Sequence, residues 1–502
     1  MNQHHGHGTR GLATTPSSTL FEGRFGRMFR TLPAASYGDD PLSALRKLAK
    51  AMTADDEFAG GFDPTKADQL DDEENTAIPA GYTYLGQFID HDLTFDPVSS
   101  LQRSNDPEAL TDFRTPRFDL DCLYGRGPDD QPYMYAQAGG AQKEGSFLLG
   151  RPLTGAEAFN PKAKDLPRAA NDRAIIGDKR NDENVIVSGL HGLFLRFHNK
   201  LIAKDLGFAE AQRLTRWHYQ YMILHDFLPR IVGQDMVHLV LPHLKSGKTI
   251  FEDEPNLDFF HWECEPFMPV EFSVAAYRLG HSMVRPDYRI NDNVSVLIFD
   301  DVNPNRGLNG FREFPASWAI DWGKFFEMES RPATGIKRIL PSYSMDTSLT
   351  DPLSKLPDEL GDMKNLPFRN LRRGLSMDLP SGQTVAHAMA VTPLDDKDIH
   401  VGKAIPGEWE TSPTVKDIDP VFFKNCPLWT YILAEAGHNK IKNGKNVLGP
   451  VGGRIVCEVF VGLMLGDQFS FLSQFPNWEP VEANFKMPNL VRFALDDAIS
   501  NP

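Results

Sequence analysis

Three short segments carry side chains whose types and spacing could do chemistry. The first is Gly86-Gln87-Phe88-Ile89-Asp90-His91-Asp92-Leu93. On a helix Gln87 and His91, four residues apart, share a face, and Asp90 and Asp92 point about 100° to either side of His91. Three polar directions could then serve three different neighbours while Phe88, Ile89 and Leu93 pack the helix into a core. The plainer reading is a helix start with acidic residues and a structural histidine. The second segment, Thr115-Pro116-Arg117-Phe118-Asp119-Leu120-Asp121, presents oxygen at alternate residues: the Thr115 hydroxyl, the Arg117 carbonyl and the Asp119 and Asp121 carboxylates. Calcium takes this mixture of ligands, and Asp92 could complete the shell from outside. The spacing is not that of an EF-hand, and a solvated acidic loop is the alternative. The third segment is Ala276-Tyr277-Arg278-Leu279-Gly280-His281-Ser282-Met283-Val284. His281, flanked by apolar residues, reads either as a core histidine with a satisfied hydrogen bond or as the axial ligand of a haem iron. Gly280 beside it would let a flat macrocycle approach the backbone.

The elements that must position these segments are mostly helical. Leu190, Phe194, Phe197 and Leu201 fall at helical spacing, as do Ile455, Val459 and Leu463. Residues 221–228 read as a buried helix ending at Pro229. Long alternating strand patterns are scarce, and there is no repeat and no clear linker. The expected fold class is mainly α: one large helical domain over 41–502 with long loops and little β-structure, preceded by a loosely ordered polar arm over 1–40.

Composition narrows the function classes. With 502 residues, 41% hydrophobic and 24% charged, the chain has the makings of a globular protein. A formal net charge of −16 argues against nucleic acid, which needs clustered Lys and Arg. The four cysteines, Cys122, Cys264, Cys426 and Cys457, are far apart and suggest neither a thiol metal site nor a disulfide framework. No apolar run reaches the length of a membrane span. Nor does the His-rich start resemble a secretory signal, so an intracellular chain is the expectation, with signal-less export as the alternative.

Taken in order, these segments resemble the animal-type haem peroxidases of the peroxidase–cyclooxygenase superfamily. The likeness runs from about Gly81 to about Leu472, and the missing signal and paired cysteines are more like its bacterial members. By resemblance His91 is the distal histidine, Gln87 stands beside the distal small-ligand site, Asp90 matches a carboxylate that forms an ester with haem, and Asp92 matches a calcium ligand. Thr115, Arg117, Asp119 and Asp121 match the calcium loop, with Asp121 where the family usually has Ser. In Gly177-Asp178-Lys179-Arg180-Asn181-Asp182-Glu183, Arg180 matches the distal arginine and Glu183 the second ester carboxylate. Asn184 stands where a single member of the family carries a methionine linked to haem, so the resemblance implies no such bond here. His281 matches the proximal histidine and Arg278 the arginine three residues before it. Asn370 and Arg373 resemble the asparagine that bonds the proximal imidazole and an arginine that holds a haem propionate. The run that usually follows is altered here to Leu375-Ser376-Met377-Asp378-Leu379-Pro380.

The resemblance implies haem b, ester-linked through Asp90 and Glu183, and Ca2+ as cofactors. It also implies hydrogen peroxide and a small electron donor (a phenol, a halide or thiocyanate) as reaction partners; a monomer is expected. His91 would move the peroxide proton and Arg180 would stabilise the charge on the departing oxygen. Asn370, accepting from the His281 N–H, would strengthen the imidazole as a donor. Two other readings stand beside this one. A fatty-acid dioxygenase of the same superfamily needs a tyrosine three residues before the proximal histidine, where this chain has Arg278. Tyr277 is adjacent but should point about 100° away on a helix. A non-catalytic haem- or calcium-binding protein is the third reading; the joint presence of His91, Arg180 and His281 speaks against it.

Overall fold

The apolar periodicities turn into helices that bury one another. The computed structural model describes residues 23–496 apart from 96–110, 113, 141, 264–265, 301–302, 304–305 and 357–360. Among the described residues helix takes 43% and strand 9%, the mainly helical class expected. The longer helices are α1 (Pro41–Ala51), α2 (Gly81–Leu93), α3 (Val185–Ala203), α4 (Phe208–Met222), α5 (Leu366–Ser376), α6 (Leu428–Asn443), α7 (Pro450–Gly466) and α8 (Met487–Leu495). Local chemistry sets several ends. Asp40, Asn184 and Asn365 cap α1, α3 and α5 by accepting backbone N–H groups, and Gly444 stops α6 at φ +67°. Leu190, Phe194, Phe197, Leu201, Ile455, Val459 and Leu463 are all buried. Helix α3 lies at the centre of one half, against α2, α4 and α8, while α6 and α7 pack together in the other.

Strands are short. β1 (Gly23–Gly26) lies between β3 (Thr111–Asp112) and β4 (Met268–Pro269), antiparallel to the first and parallel to the second. β2 (Glu74–Pro79) pairs with β7 (Pro341–Tyr343), and β5 (Asp287–Asn291) forms a hairpin with β6 (Val294–Leu297).

Two expectations need correction. The stretch from 23 to 40 is not a loose arm. Phe25, Met28 and Phe29 are buried, and the N–H groups of Met28 and Phe29 donate to the fully buried Glu271 carboxylate at 3.0 and 3.1 Å. Only residues 1–22 of the expected arm lie outside the described residues. Nor does the helix at 221–228 end at Pro229. α4 passes into a π-turn over Ile223–Phe227, and Pro229 sits in the first turn of the next helix, Leu228–Val232. Proline has no N–H to continue an α ladder, and the widened turn accommodates that missing donor.

Cys122, Cys426 and Cys457 are buried free thiols; Cys264 lies outside the described residues. Among the described residues no helix is long and apolar enough to cross a membrane.

Candidate functional site

Helix α2 is anchored by its apolar side. Phe88 stacks on Phe194 of α3 with ring centroids 4.9 Å apart, and Ile89 and Leu93 are fully buried. That packing turns Gln87, Asp90 and His91 toward a cavity of about 720 Å3, within the range of cofactor sites. The lining also includes Glu183, Asn184 and the run from Tyr277 to His281. His91 and His281, far apart in sequence, therefore border one space. A Cβ built on Gly280 would meet nothing within 4 Å, so the wall beside His281 is open, as a flat macrocycle requires. The segment Ala276–His281 is a 3-10 helix, and Tyr277 lines the cavity with its hydroxyl donating to the Gly86 carbonyl at 3.2 Å. The sequence-based expectation had turned Tyr277 away; the tighter winding after the π-turn at Glu271–Ala275 changes its direction.

On the distal side both nitrogens of His91 face oxygens. Nδ1 lies 2.8 Å from Oδ1 of Asn181, and Nε2 lies 3.5 Å from the Glu183 carboxylate, which also accepts from the Gln87 amide. Asn181 was not singled out from the sequence; its only signal was its place beside Arg180.

Arg180 departs from its expected role. Its guanidinium pairs with Asp178 at 2.7 Å, donates to the His91 carbonyl at 3.0 Å and covers the Phe95 ring, and it does not line the cavity. Asp178 captures it. Although burial opposes ionisation, the bonds from Arg180 and the charges of Arg180 and Arg114 hold the Asp178 carboxyl well below its ordinary range. Arg180 thus braces the α2 backbone from behind.

On the proximal side burial, helped by the Arg278 charge, pushes the His281 pKa down to about 3, so the ring is neutral and has a lone pair to give. The Asn370 amide meets Nδ1 of His281 at 2.7 Å, the pairing expected. It is the amide nitrogen that faces the ring, so the imidazole accepts; the reverse polarity expected from the sequence requires the amide to be turned over. Arg278 lies 3.6 Å from Asp90 across the cavity. Arg373 does not reach the lining, whereas Arg369, one turn earlier on α5, does. The four-residue spacing puts both on one side of the helix, and only the tilt of α5 decides which one arrives.

The carboxylates of Asp92, Asp119 and Asp121 offer oxygens within 4.8 Å of one another. Thr115 joins them by donating to Asp119 at 2.8 Å, and Arg117 is buried in the same loop. Oδ1 of Asp92 is buried with no hydrogen-bond partner among the described residues. Burial first, then the charges of Asp119 and Asp121, push the Asp92 carboxyl well above its usual range. A hard cation would relieve this crowding, so the donor set suits calcium. Arg114 ties the cluster to the distal brace: it lies 3.4 Å from Asp121 and donates to Asp178 at 3.1 Å.

With this geometry in hand, the likeness to known proteins can be placed on it. The animal haem peroxidase family model matches residues 114–308, which take in the acidic loop, Arg180, Glu183 and His281. Peroxidasin of Drosophila melanogaster is 22% identical over 310 residues, 59% of this chain and 18% of that protein. Peroxidase A from Dictyostelium discoideum has the same fold, with a TM-score of 0.57 over 90% of this chain and 89% of that one, at 14% identity. Over residues 114–308 the chain is similar to the animal haem peroxidases, and it shares the fold of peroxidase A. Fatty acid alpha-dioxygenase of Arabidopsis thaliana also has this fold, with a TM-score of 0.53 over 93% of this chain and 74% of that one, again at 14% identity. The chain spans less than a quarter of the length of the curated relatives it matches. Helix α2, with Gln87, Asp90 and His91, precedes the matched region, so its part in the site rests on geometry.

Proposed function

We propose that the chain is a haem-dependent peroxidase that reduces hydrogen peroxide and oxidises small donors such as phenols, halides or thiocyanate. The observation that carries this reading is the pair of histidines, His91 and His281, on one cavity of about 720 Å3. Haem, when bound, supplies the redox chemistry. His281 would hold it through Nε2 with the Asn370 amide turned over, so that its oxygen takes the ring proton at Nδ1. Asp90 and Glu183, both on the lining, are the carboxylates for ester links, and Arg369 is the cation for a propionate. His91 would take the proton from one peroxide oxygen at Nε2 and return it to the departing one. The Gln87 amide is the neutral donor beside it. Arg180 contributes by holding the His91 backbone rather than by facing the peroxide. Asp92, Thr115, Asp119 and Asp121 would hold calcium, which would neutralise their mutual repulsion.

Haem titration followed by stopped-flow mixing with peroxide tests the reading. A Soret change within the first turnover is expected, slowed in His91→Leu by about 10²-fold or more, with recovery on adding a phenol or bromide. A haem-loaded chain that leaves peroxide untouched would sink it.

One observation favours a second reading, a fatty-acid dioxygenase: Tyr277 reaches the cavity. Oxygen uptake with linoleate and no peroxide, lost in Tyr277→Phe, would select it.

A further inference from the structure

A neutral imidazole presents a lone pair at Nε2 in only one of its two tautomers. For His91 that tautomer needs an acceptor at Nδ1, and Oδ1 of Asn181 lies there at 2.8 Å. An amide can accept at one end and donate at the other. Nδ2 of Asn181 lies 3.0 Å from Nδ1 of His191. Asn181 and His191 are both fully buried, so water does not compete for these contacts. Burial pushes the His191 pKa down to about 3, which keeps the ring neutral and able to offer the amide a lone pair. Neither partner is free to drift. The Asn181 N–H donates to the Asp178 carbonyl at 3.1 Å, and the His191 ring stands edge-on to Phe88 with centroids 6.2 Å apart.

We infer that Asn181 is a positioning residue for His91. It takes the ring proton at Nδ1 and leaves Nε2 toward the cavity, in competition with the Glu183 carboxylate 3.5 Å from Nε2, while its amide nitrogen rests on Nδ1 of His191. The inference rests on the proton-carrying role proposed for His91. Asn181 and His191 act only through that ring, since neither lines the cavity.

Long-range proton–nitrogen spectra of the full chain, labelled at histidine and measured with and without zinc protoporphyrin, read the tautomer directly. His91 is expected to show a protonated Nδ1 and a bare Nε2, and Asn181→Leu to show a mixture. In the haem-loaded chain Asn181→Leu should slow the reaction with peroxide by about 10- to 100-fold, the usual size of losing an outer partner. Asn181→Asp keeps an acceptor and favours the imidazolium, so the acid limb of the pH profile should move up by about one pH unit. His191→Leu should behave as Asn181→Leu does, and His191→Gln, whose amide oxygen can accept, should restore the rate. An unchanged Soret band and far-ultraviolet spectrum identify the variants that have kept the fold. A wild-type His91 with its proton on Nε2, or an Asn181→Leu chain with unaltered tautomer and pH profile, would overturn the inference. If the wild-type chain binds haem yet ignores peroxide, the proposed function fails while the spectra still decide the tautomer.

Discussion

At the scale of single residues, the cavity discriminates between side chains that the sequence could not rank. Arg369 and Arg373 lie on the same helix, but Arg369 lines the cavity and Arg373 does not. Arg369→Ala is therefore expected to weaken haem retention by about 10-fold, or roughly 1.4 kcal/mol. Arg373→Ala should leave haem retention within about twofold of wild type. Spectrophotometric haem titration of both variants checks this, and an equal loss in the two would reverse the assignment. His281 makes a stronger demand. Its ring lines the cavity and is neutral, and His281→Ala should abolish the ordered haem spectrum while leaving the helical content intact.

At the scale of elements, the loop at 115–121 and the end of α2 share a cost. Burial first, then the Asp119 and Asp178 charges against the pull of Arg114, push the Asp121 carboxyl up to about 7. A carboxyl raised in the folded state binds extra protons there. Its stabilising share is present below about pH 4 and is lost as pH rises through about 7. The chain stripped of cations should therefore lose stability between about pH 5 and 8. Calcium needs the charged carboxylates, so its binding strengthens over the same window and offsets that loss. Calorimetry with and without chelator should show a larger calcium-induced rise in Tm at pH 8 than at pH 5; an equal rise at both would mean that these carboxylates are not the ligands.

The rim of the cavity offers a second element-scale test. Phe311 lines it at φ +54° and is 60% exposed, so a bulky side chain sits in the left-handed region with little burial to compensate. Its N–H donates to the Asp182 carbonyl at 2.7 Å, and the Gly310 N–H donates to the Glu183 carbonyl at 3.0 Å, which locks the turn. Phe311→Gly should raise unfolding stability by about 1 kcal/mol, read by urea denaturation; a loss of stability would show that the ring contributes more than its backbone costs.

At the scale of the whole molecule, the segment at Met28 and Phe29 is stitched to the proximal half. The Glu271 carboxylate, fully buried just before the His281 segment, receives the N–H groups of Met28 and Phe29. Glu271→Gln keeps one acceptor and turns an amide N–H toward the other donor. A loss of roughly 2 kcal/mol is expected, with haem affinity falling alongside if the N-terminal stitch supports the cavity. A change under about 0.5 kcal/mol would show that the N-terminal strand is not an integral part of the core.

The sequence by itself determined the helical class and the shared face of Gln87 and His91; its resemblance to the animal-type haem peroxidases pointed to Asp90, Glu183 and His281, which border the same cavity. Spacing along a helix fixes which side chains share a face, and those faces were readable from apolar periodicity. Asp119 and Asp121 were legible from the alternate oxygens of their loop, with Asp92 read as a ligand from outside it. Tertiary structure alone decided the contacts that depend on the relative tilt of distant elements. It sent Arg180 to Asp178 instead of the cavity, brought Asn181 to His91, chose Arg369 over Arg373 and let Tyr277 reach the lining. A long, flexible side chain such as arginine goes to whichever opposite charge the fold brings within a few ångströms, and no local pattern encodes that choice.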